Sequence, residues 1–263
     1  KSLQEVEISV QSQFNLIVDW MYTNDMFINV NKTKAMLFGS RNKVKNKQIN
    51  IICENHPLET VSKFKYLGVI LDPYLKWSEQ VDYVVKKVAK THACLRKIKP
   101  YVQQKALNDL YYSLIVPHLD YCSTVWGDKS KTNMQRLQRC QHKYARFVLG
   151  VDRFTSSSFV LKSLHWQSIE QRIKYHKCIM VYKILNNRVP SYLDYLVSKR
   201  DVYYNTRYAV NSPLFVPTPR TEYMKASFSY QGSAIFNSLP YQIQTCLSIE
   251  SFRKQCRQFS LKF

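Results

Sequence analysis

The chain has 263 residues and a mass of 31.2 kDa, room for one large or two modest cores, and carries 39 Lys and Arg against 18 Asp and Glu, a net charge of +21 with a pI near 9.7. No apolar run approaches the ~18 residues of a membrane span and no secretory pattern opens the sequence, so a densely anionic partner is the first expectation and a membrane is not. The five glycines, the nearest two being Gly127 and Gly150, cannot build a dinucleotide loop or a P-loop, and so few of them disfavour a turn-dense all-β fold. Helix should dominate. The chain opens at Lys1 rather than Met, which points to a piece of something longer. Seven cysteines without a C-x-x-C pair read as buried, reduced thiols in an intracellular setting.

In chain order, Leu3, Val6, Val10, Phe14, Ile17 and Met21 recur at helical spacing and predict a helix from Leu3 to Met26. Ala35 to Phe38, Ile49 to Cys53 and Phe64 to Leu71 read as three short strands, the last closed by Asp72-Pro73. One helix with three strands leaves a sheet face uncovered. From Trp77 the period turns helical. Val81, Val84, Val88, Thr91, Leu95 and Ile98 form the inner stripe of a helix whose surface is crowded by Lys86, Lys87, Lys90, Arg96 and Lys97, and Pro100 stops it. A second helix runs from Gln103 until Pro117 ends, kinks or restarts it. A third spans Asn133 to Leu149 before Gly150, a C-terminal cap. A fourth covers Leu164 to Asn186. Residues 198–225, with Tyr203, Tyr204 and Tyr208 among prolines, read as irregular, and a last helix covers Ser248 to Phe259.

Charge is regional, running from −1 over residues 1–40 to +7, +11 and +4 over 41–120, 121–200 and 201–263. Arg136, Arg139, Lys143 and Arg146 share one face of the third helix with no acid among them, which favours phosphate binding over a merely solvated face. Four tyrosines follow cations directly, in Lys65-Tyr66, Lys143-Tyr144, Lys174-Tyr175 and Arg207-Tyr208; base stacking is open to a minority of them and burial is the reading for the rest. Two-metal chemistry is disfavoured because no acid neighbours another. The alternation His118, Asp120, Cys122 and the pair Cys140, His142 lack the further ligands of a zinc site and read as packing.

The succession of segments resembles the reverse transcriptases of non-LTR (LINE-type, jockey-like) retrotransposons, in the part after the catalytic centre. The residues that carry it are Trp20 with Asn29-Val30-Asn31-Lys32-Thr33-Lys34-Ala35-Met36-Leu37-Phe38, then Lys65-Tyr66-Leu67-Gly68-Val69-Ile70-Leu71-Asp72, Leu110-Tyr111 through Pro117, Tyr121, Val125-Trp126, Leu137-Gln138, Arg146, and the tail from Arg220-Thr221 through Gly232 and Phe236-Asn237-Ser238-Leu239-Pro240 to Ser251-Phe252. Phe236 stands where the family usually has Trp.

The resemblance implies a mainly α fold with a small N-terminal α+β unit: the end of a polymerase palm over 1–75, a helical thumb over 76–130 and a C-terminal helical region over 131–263. It implies that Asn29 to Phe38 is motif D, with Lys32 placed to neutralise or protonate the leaving pyrophosphate, and that Tyr66, Leu67 and Gly68 form the motif E hairpin that grips the primer end. Lys86, Lys87, Lys90, Arg136, Arg139, Lys143 and Arg146 are the candidate nucleic-acid contacts. The partners implied are RNA template, DNA primer, and the upstream palm and fingers of the same polypeptide, as a ribonucleoprotein of cytoplasm and nucleus. The magnesium-binding aspartates of that family precede Lys1, so this piece is expected to hold no cofactor and to be inactive alone. A stand-alone nucleic-acid-binding module derived from such an element, or a structural or protein-interaction helical domain, are the alternatives.

Overall fold

The computed structural model describes residues 2–127, 130–200 and 213–260, so Tyr203, Tyr204, Arg207 and Tyr208 lie outside the described residues. The chain is mainly α-helical, with a few short strands, and divides into two compact units, Lys1–Gln80 and Val81–Phe263.

In the first unit, α1 (Leu3–Thr23) begins with a capping box: the Ser2 hydroxyl accepts from the Glu5 amide, and the Glu5 carboxylate accepts from the Ser2 amide. Val6, Phe14 and Val18 pack on a small core of Ile49, Ile51, Cys53 and Leu58. Gln11 serves the edge of β2 (Ile52–Cys53), accepting from Ile52 N at 2.8 Å and donating to Ile52 O at 2.9 Å. β2 pairs antiparallel with β3 (His56–Pro57), and β1 (Lys34–Ala35) pairs in parallel with β4 (Glu59–Thr60). The predicted strand over 64–71 is folded in half: β5 (Phe64–Tyr66) and β6 (Val69–Leu71) pair antiparallel around Leu67 and Gly68. An apolar run bounded by turns predicts extended chain, and a positive φ in its middle turns it back. Asp72 then organises the exit, its carboxylate accepting from the amides of Tyr74, Lys76 and Trp77.

α3 (Ser78–Ile98) carries the chain into the second unit. Val81, Val84, Val88 and Leu95 are buried as predicted, while His92 takes the inward place and Thr91 stays half-buried. The helix from Gln104 is interrupted: α4 (Gln104–Leu110) passes into a π turn (Tyr111–Ile115) and then α5 (Val116–Asp120). Pro117, which lacks an amide hydrogen, sits in the first turn of α5, where no donor is needed. α6 (Ser123–Trp126) ends at Gly127, where a Cβ would lie 2.5 Å from Ser123 O and 2.7 Å from Ile173 Cδ1, so only glycine lets this turn close on the next layer.

α7 (Lys131–Leu149) ends in a Schellman motif, the Val151 amide donating to Arg146 O and Gly150, at φ +72°, to Phe147 O. The Lys99 ammonium donates to Phe147 O at 2.7 Å, a cation on the negative end of the helix. The predicted helix over 164–186 is α9 (Ile169–Leu185), which starts late, at its own Ser168–Gln171 capping box after a loop with His165 at φ +53°; α8 (Ser157–Ser163), ahead of it, was not predicted. Periodicity alone did not find that start.

α9 is the axis of the unit. Ile169, Ile173, Lys177, Cys178, Val181, Tyr182 and Ile184 are buried on several of its sides, which explains its weak amphipathicity. Asp120 ties α5 to it, accepting from Arg172 Nε at 3.0 Å and lying 3.1 Å from His176 Nε2, so the His118, Asp120, Cys122 alternation contributes one carboxylate to a tertiary ion pair. α10 (Glu222–Lys225), α11 (Phe228–Asn237) and α12 (Tyr241–Gln244) were not predicted; α13 (Ile249–Ser260) was, to within a residue. α11, α12 and α13, with the turn at Leu239, close on α9 through Phe236, Leu239, Ile243, Phe252 and Cys256. Phe236 is fully buried and stacks on Phe252, whose ring stacks on Tyr182.

Candidate nucleic-acid interface

In the first unit, residues 29–33 form a turn before β1. The Lys32 amide donates to Asn29 Oδ1 at 3.1 Å and to Asn29 O at 3.0 Å, and the Thr33 hydroxyl donates to the same carbonyl at 2.9 Å. Asn29 and Thr33 thus shape the turn, and the Lys32 side chain is exposed at its end. Lys34, two positions on, forms an ion pair with Glu59 across the β1–β4 pairing.

Tyr66, Leu67 and Gly68 make the tip of the β5–β6 hairpin. Leu67 at φ +44° and Gly68 at φ +84° both occupy left-handed backbone, the signature of a two-residue turn whose twist matches the strands. Gly68 accepts that conformation freely, whereas Leu67 does so at a cost. The tip presents Tyr66 and Leu67 outward, with Leu67 73% exposed.

In the second unit, α3 and α7 run beside one another and enclose a groove of about 270 Å³ walled by Val85, Ala89, His92 and Arg96 from α3 and by Cys140 and Lys143 from α7. Helical spacing sets Lys86 and Lys90 beside the α3 wall and Arg139 beside the α7 wall. Lys86, Lys87, Lys90, Arg139 and Lys143 are exposed; the Lys87 ammonium lies 5.1 Å over the Tyr83 ring. Burial, with Lys143 and Arg96 close by, pushes the His92 imidazole down to about 4. At neutral pH the groove therefore carries two cations over an uncharged histidine.

The four-cation face of α7 is divided by the fold. Arg136 pairs with Asp82 of α3, an acid 54 positions away that no inspection of the helix itself would find. Arg146 is committed inward, donating from Nε and Nη2 to Thr155 O at 3.0 and 2.9 Å and to Ser157 Oγ at 3.0 Å, which holds the loop between α7 and α8. Arg139 and Lys143 remain outward, and Arg96, which the sequence placed only among surface cations, joins Lys143 in the groove wall. Of the cation-adjacent tyrosines, Tyr144 is fully buried among His92, Tyr111 and Phe147 and is unavailable to a ligand. Tyr175 is half-buried, and Tyr66 is exposed. Among the described residues no group of three His, Cys, Asp or Glu is placed to hold a metal, and no helix is long and apolar enough to cross a membrane.

In comparison with known proteins, this chain is similar to two described as probable RNA-directed DNA polymerases from transposons. It is 26% identical over 130 residues to the Drosophila melanogaster protein described as "Probable RNA-directed DNA polymerase from transposon X-element", a match covering 48% of this chain and 14% of that protein. The corresponding polymerase "from transposon BS" of the same organism is 23% identical over 122 residues, 45% of this chain and 14% of the relative. The matched region is thus about half of this chain and about one seventh of each relative's length. No protein-family model and no solved structure matches the chain.

Proposed function

We propose that this chain is the C-terminal part of a non-LTR retrotransposon RNA-directed DNA polymerase and that it holds the primer–template duplex by its phosphates. In this reading residues 1–75 end the palm, 76–130 form the thumb and 131–263 the C-terminal helical region. The observation that carries it is the α3/α7 groove, where Arg96 and Lys143 line one wall each and Arg139, Lys86 and Lys90 flank them. Two helices of net positive charge are joined, among the described residues, by the Arg136–Asp82 pair, an arrangement whose self-repulsion an anionic strand relieves. The motif E reading is supported by the hairpin at Tyr66 to Val69, and the motif D reading by the exposed Lys32 at the head of β1.

An upstream palm is the partner of α1 in this reading. Val10, Ile17 and Trp20 lie on one side of that helix and are exposed, Trp20 by 60%, an apolar strip that a packed neighbour would cover. That strip favours a polymerase part over a stand-alone module. Magnesium and the aspartates that hold it belong, on this reading, to the upstream palm, and the whole works as a ribonucleoprotein in cytoplasm and nucleus.

The test is binding of an RNA–DNA hybrid by the chain and by a triple variant, Arg96→Glu, Arg139→Glu and Lys143→Glu. The expected result is a loss of about tenfold or more, since each reversed charge turns a phosphate contact into repulsion. Unchanged affinity would overturn the assignment of the groove.

A further inference from the structure

We propose that Cys178 of α9 and Cys256 of α13 form a redox-responsive pair, which a peroxide converts to a disulfide that clasps the last helix to the axis of the second unit. The pair shares no residue with the α3/α7 groove, and its chemistry does not need the nucleic-acid reading. The two cysteines stand on helices far apart in the chain and are 2% and 1% exposed, in one core with Tyr182, Phe236 and Phe252. Both line a single cavity of about 240 Å³ between α9, α11 and α13. Its walls run from the exposed Ser238 and the part-exposed Lys174 down to the two buried cysteines, so a molecule hardly larger than water, such as hydrogen peroxide, has a route to them.

The two thiols hydrogen-bond each other, Cys178 donating to the sulfur of Cys256. That bond holds the Cys256 thiol below its ordinary range, against the opposing effect of burial. On Cys178 the same bond, with burial, acts in the other direction and keeps the proton in place. Cys256 is therefore the sulfur that ionises first, and Cys178 is the protonated thiol that faces it: an attacking thiolate beside a resolving thiol. In the first step the Cys256 thiolate attacks one oxygen of the peroxide, the O–O bond breaks, and a sulfenic acid and hydroxide are left. In the second the Cys178 sulfur attacks the Cys256 sulfur and gives up its proton, and the sulfenic hydroxyl leaves as water. The two thiols together lose two electrons and two protons, and the peroxide becomes two waters. The new bond joins α9 to α13 and closes the long stretch of chain between them, which makes the oxidised unit harder to unfold.

The test treats the full, folded chain with hydrogen peroxide in modest excess, maps its peptides by mass without reduction, and melts the product. The expected result is a Cys178–Cys256 peptide pair about 2 Da lighter than the sum of its two thiol peptides, separated again by dithiothreitol. The oxidised chain should melt about 5 °C or more above the reduced one. Two variants assign the order of attack. In Cys178→Ser the reaction should stop at a sulfenic acid on Cys256, which dimedone captures, and in Cys256→Ser dimedone should find nothing at Cys178. Mapping of the unsubstituted chain decides the case even if a serine disturbs the core. A link that forms only after unfolding in urea would overturn the proposal. So would a link in which the half-buried Cys246 replaces either partner, or oxidation confined to the exposed Cys94. Capture at Cys178 in the Cys256→Ser chain would overturn the assignment of the attacking thiol.

Discussion

At the scale of single residues, the fold sorts cations of like appearance into different work. Arg146 donates three hydrogen bonds to the loop after α7, so Arg146→Ala should cost about 1–3 kcal/mol in urea unfolding, the range for losing charged hydrogen bonds to partly buried acceptors. Arg139→Glu with Lys143→Glu should shift stability by under about 0.5 kcal/mol per site, because both are solvated, while weakening the duplex. His92 makes stability depend on pH. Its folded imidazole titrates at about 4, below its ordinary value, so as pH falls from 6.5 the unfolded chain takes up the proton first. Stability should therefore decline between pH 6.5 and 4 by up to about 3 kcal/mol, and His92→Phe should flatten that slope in melts across the range. Nε2 of His92 makes no hydrogen bond among the described residues, so the phenyl ring forfeits none there.

At the scale of elements, the hairpin and the third long helix show where local rules are obeyed and where they are broken. Asn-Gly is the favoured pair for the turn that Leu67 and Gly68 adopt, so Leu67→Asn should relieve left-handed backbone and stabilise the first unit by about 1 kcal/mol. If Leu67 is kept for contact with a primer end, the same substitution should weaken hybrid binding while raising the urea midpoint; an unchanged midpoint would remove the strain argument. On α7 the inward side is as firm as the outward side is free. Leu137 is 1% exposed, and Leu137→Ala should cost about 2–5 kcal/mol in the same unfolding measurement. The capping signals Ser2, Ser168 and Gly150 stand in the sequence and act where they stand. The late start of the helix predicted over 164–186 follows from Ser168, whose capping box with Gln171 sets the first turn at Ile169 whatever the apolar spacing before it.

At the scale of the whole molecule, a net charge of +21 predicts that the proposed association with nucleic acid depends strongly on salt. If about six phosphates are neutralised, log affinity for the hybrid should fall against log salt with a slope of about −4 to −5, measured by fluorescence anisotropy; a flat response would exclude phosphate contacts as the source of binding. Primer extension by the chain alone, with magnesium and all four nucleotides, is expected to yield no product, and incorporation abolished by chelation would refute the assignment of the metal-binding aspartates to the upstream part. If α1 packs on an upstream palm as proposed, co-expression with that palm should raise solubility, and Ile17→Lys with Trp20→Lys should make the chain alone more soluble while disrupting that association.

The helical class, the regional positive charge, most of the inner stripes of α3 and α7, the cap at Gly150 and the resemblance to transposon polymerases were legible in the chain, because each is encoded in composition or in neighbours within a few positions. That Asp82 takes Arg136, that Arg146 holds a loop, that Tyr144 is core and that Arg96 lines one groove with Lys143 came from contacts between distant segments. Such contacts also bring Tyr175 and Phe259 to the wall of one cavity and fit α11 around α9, where Gly232 lies close to Val181. Spacing along a chain records which side chains share a face. What faces them is settled by partners tens of residues away, through packing and charge pairing that no local pattern contains.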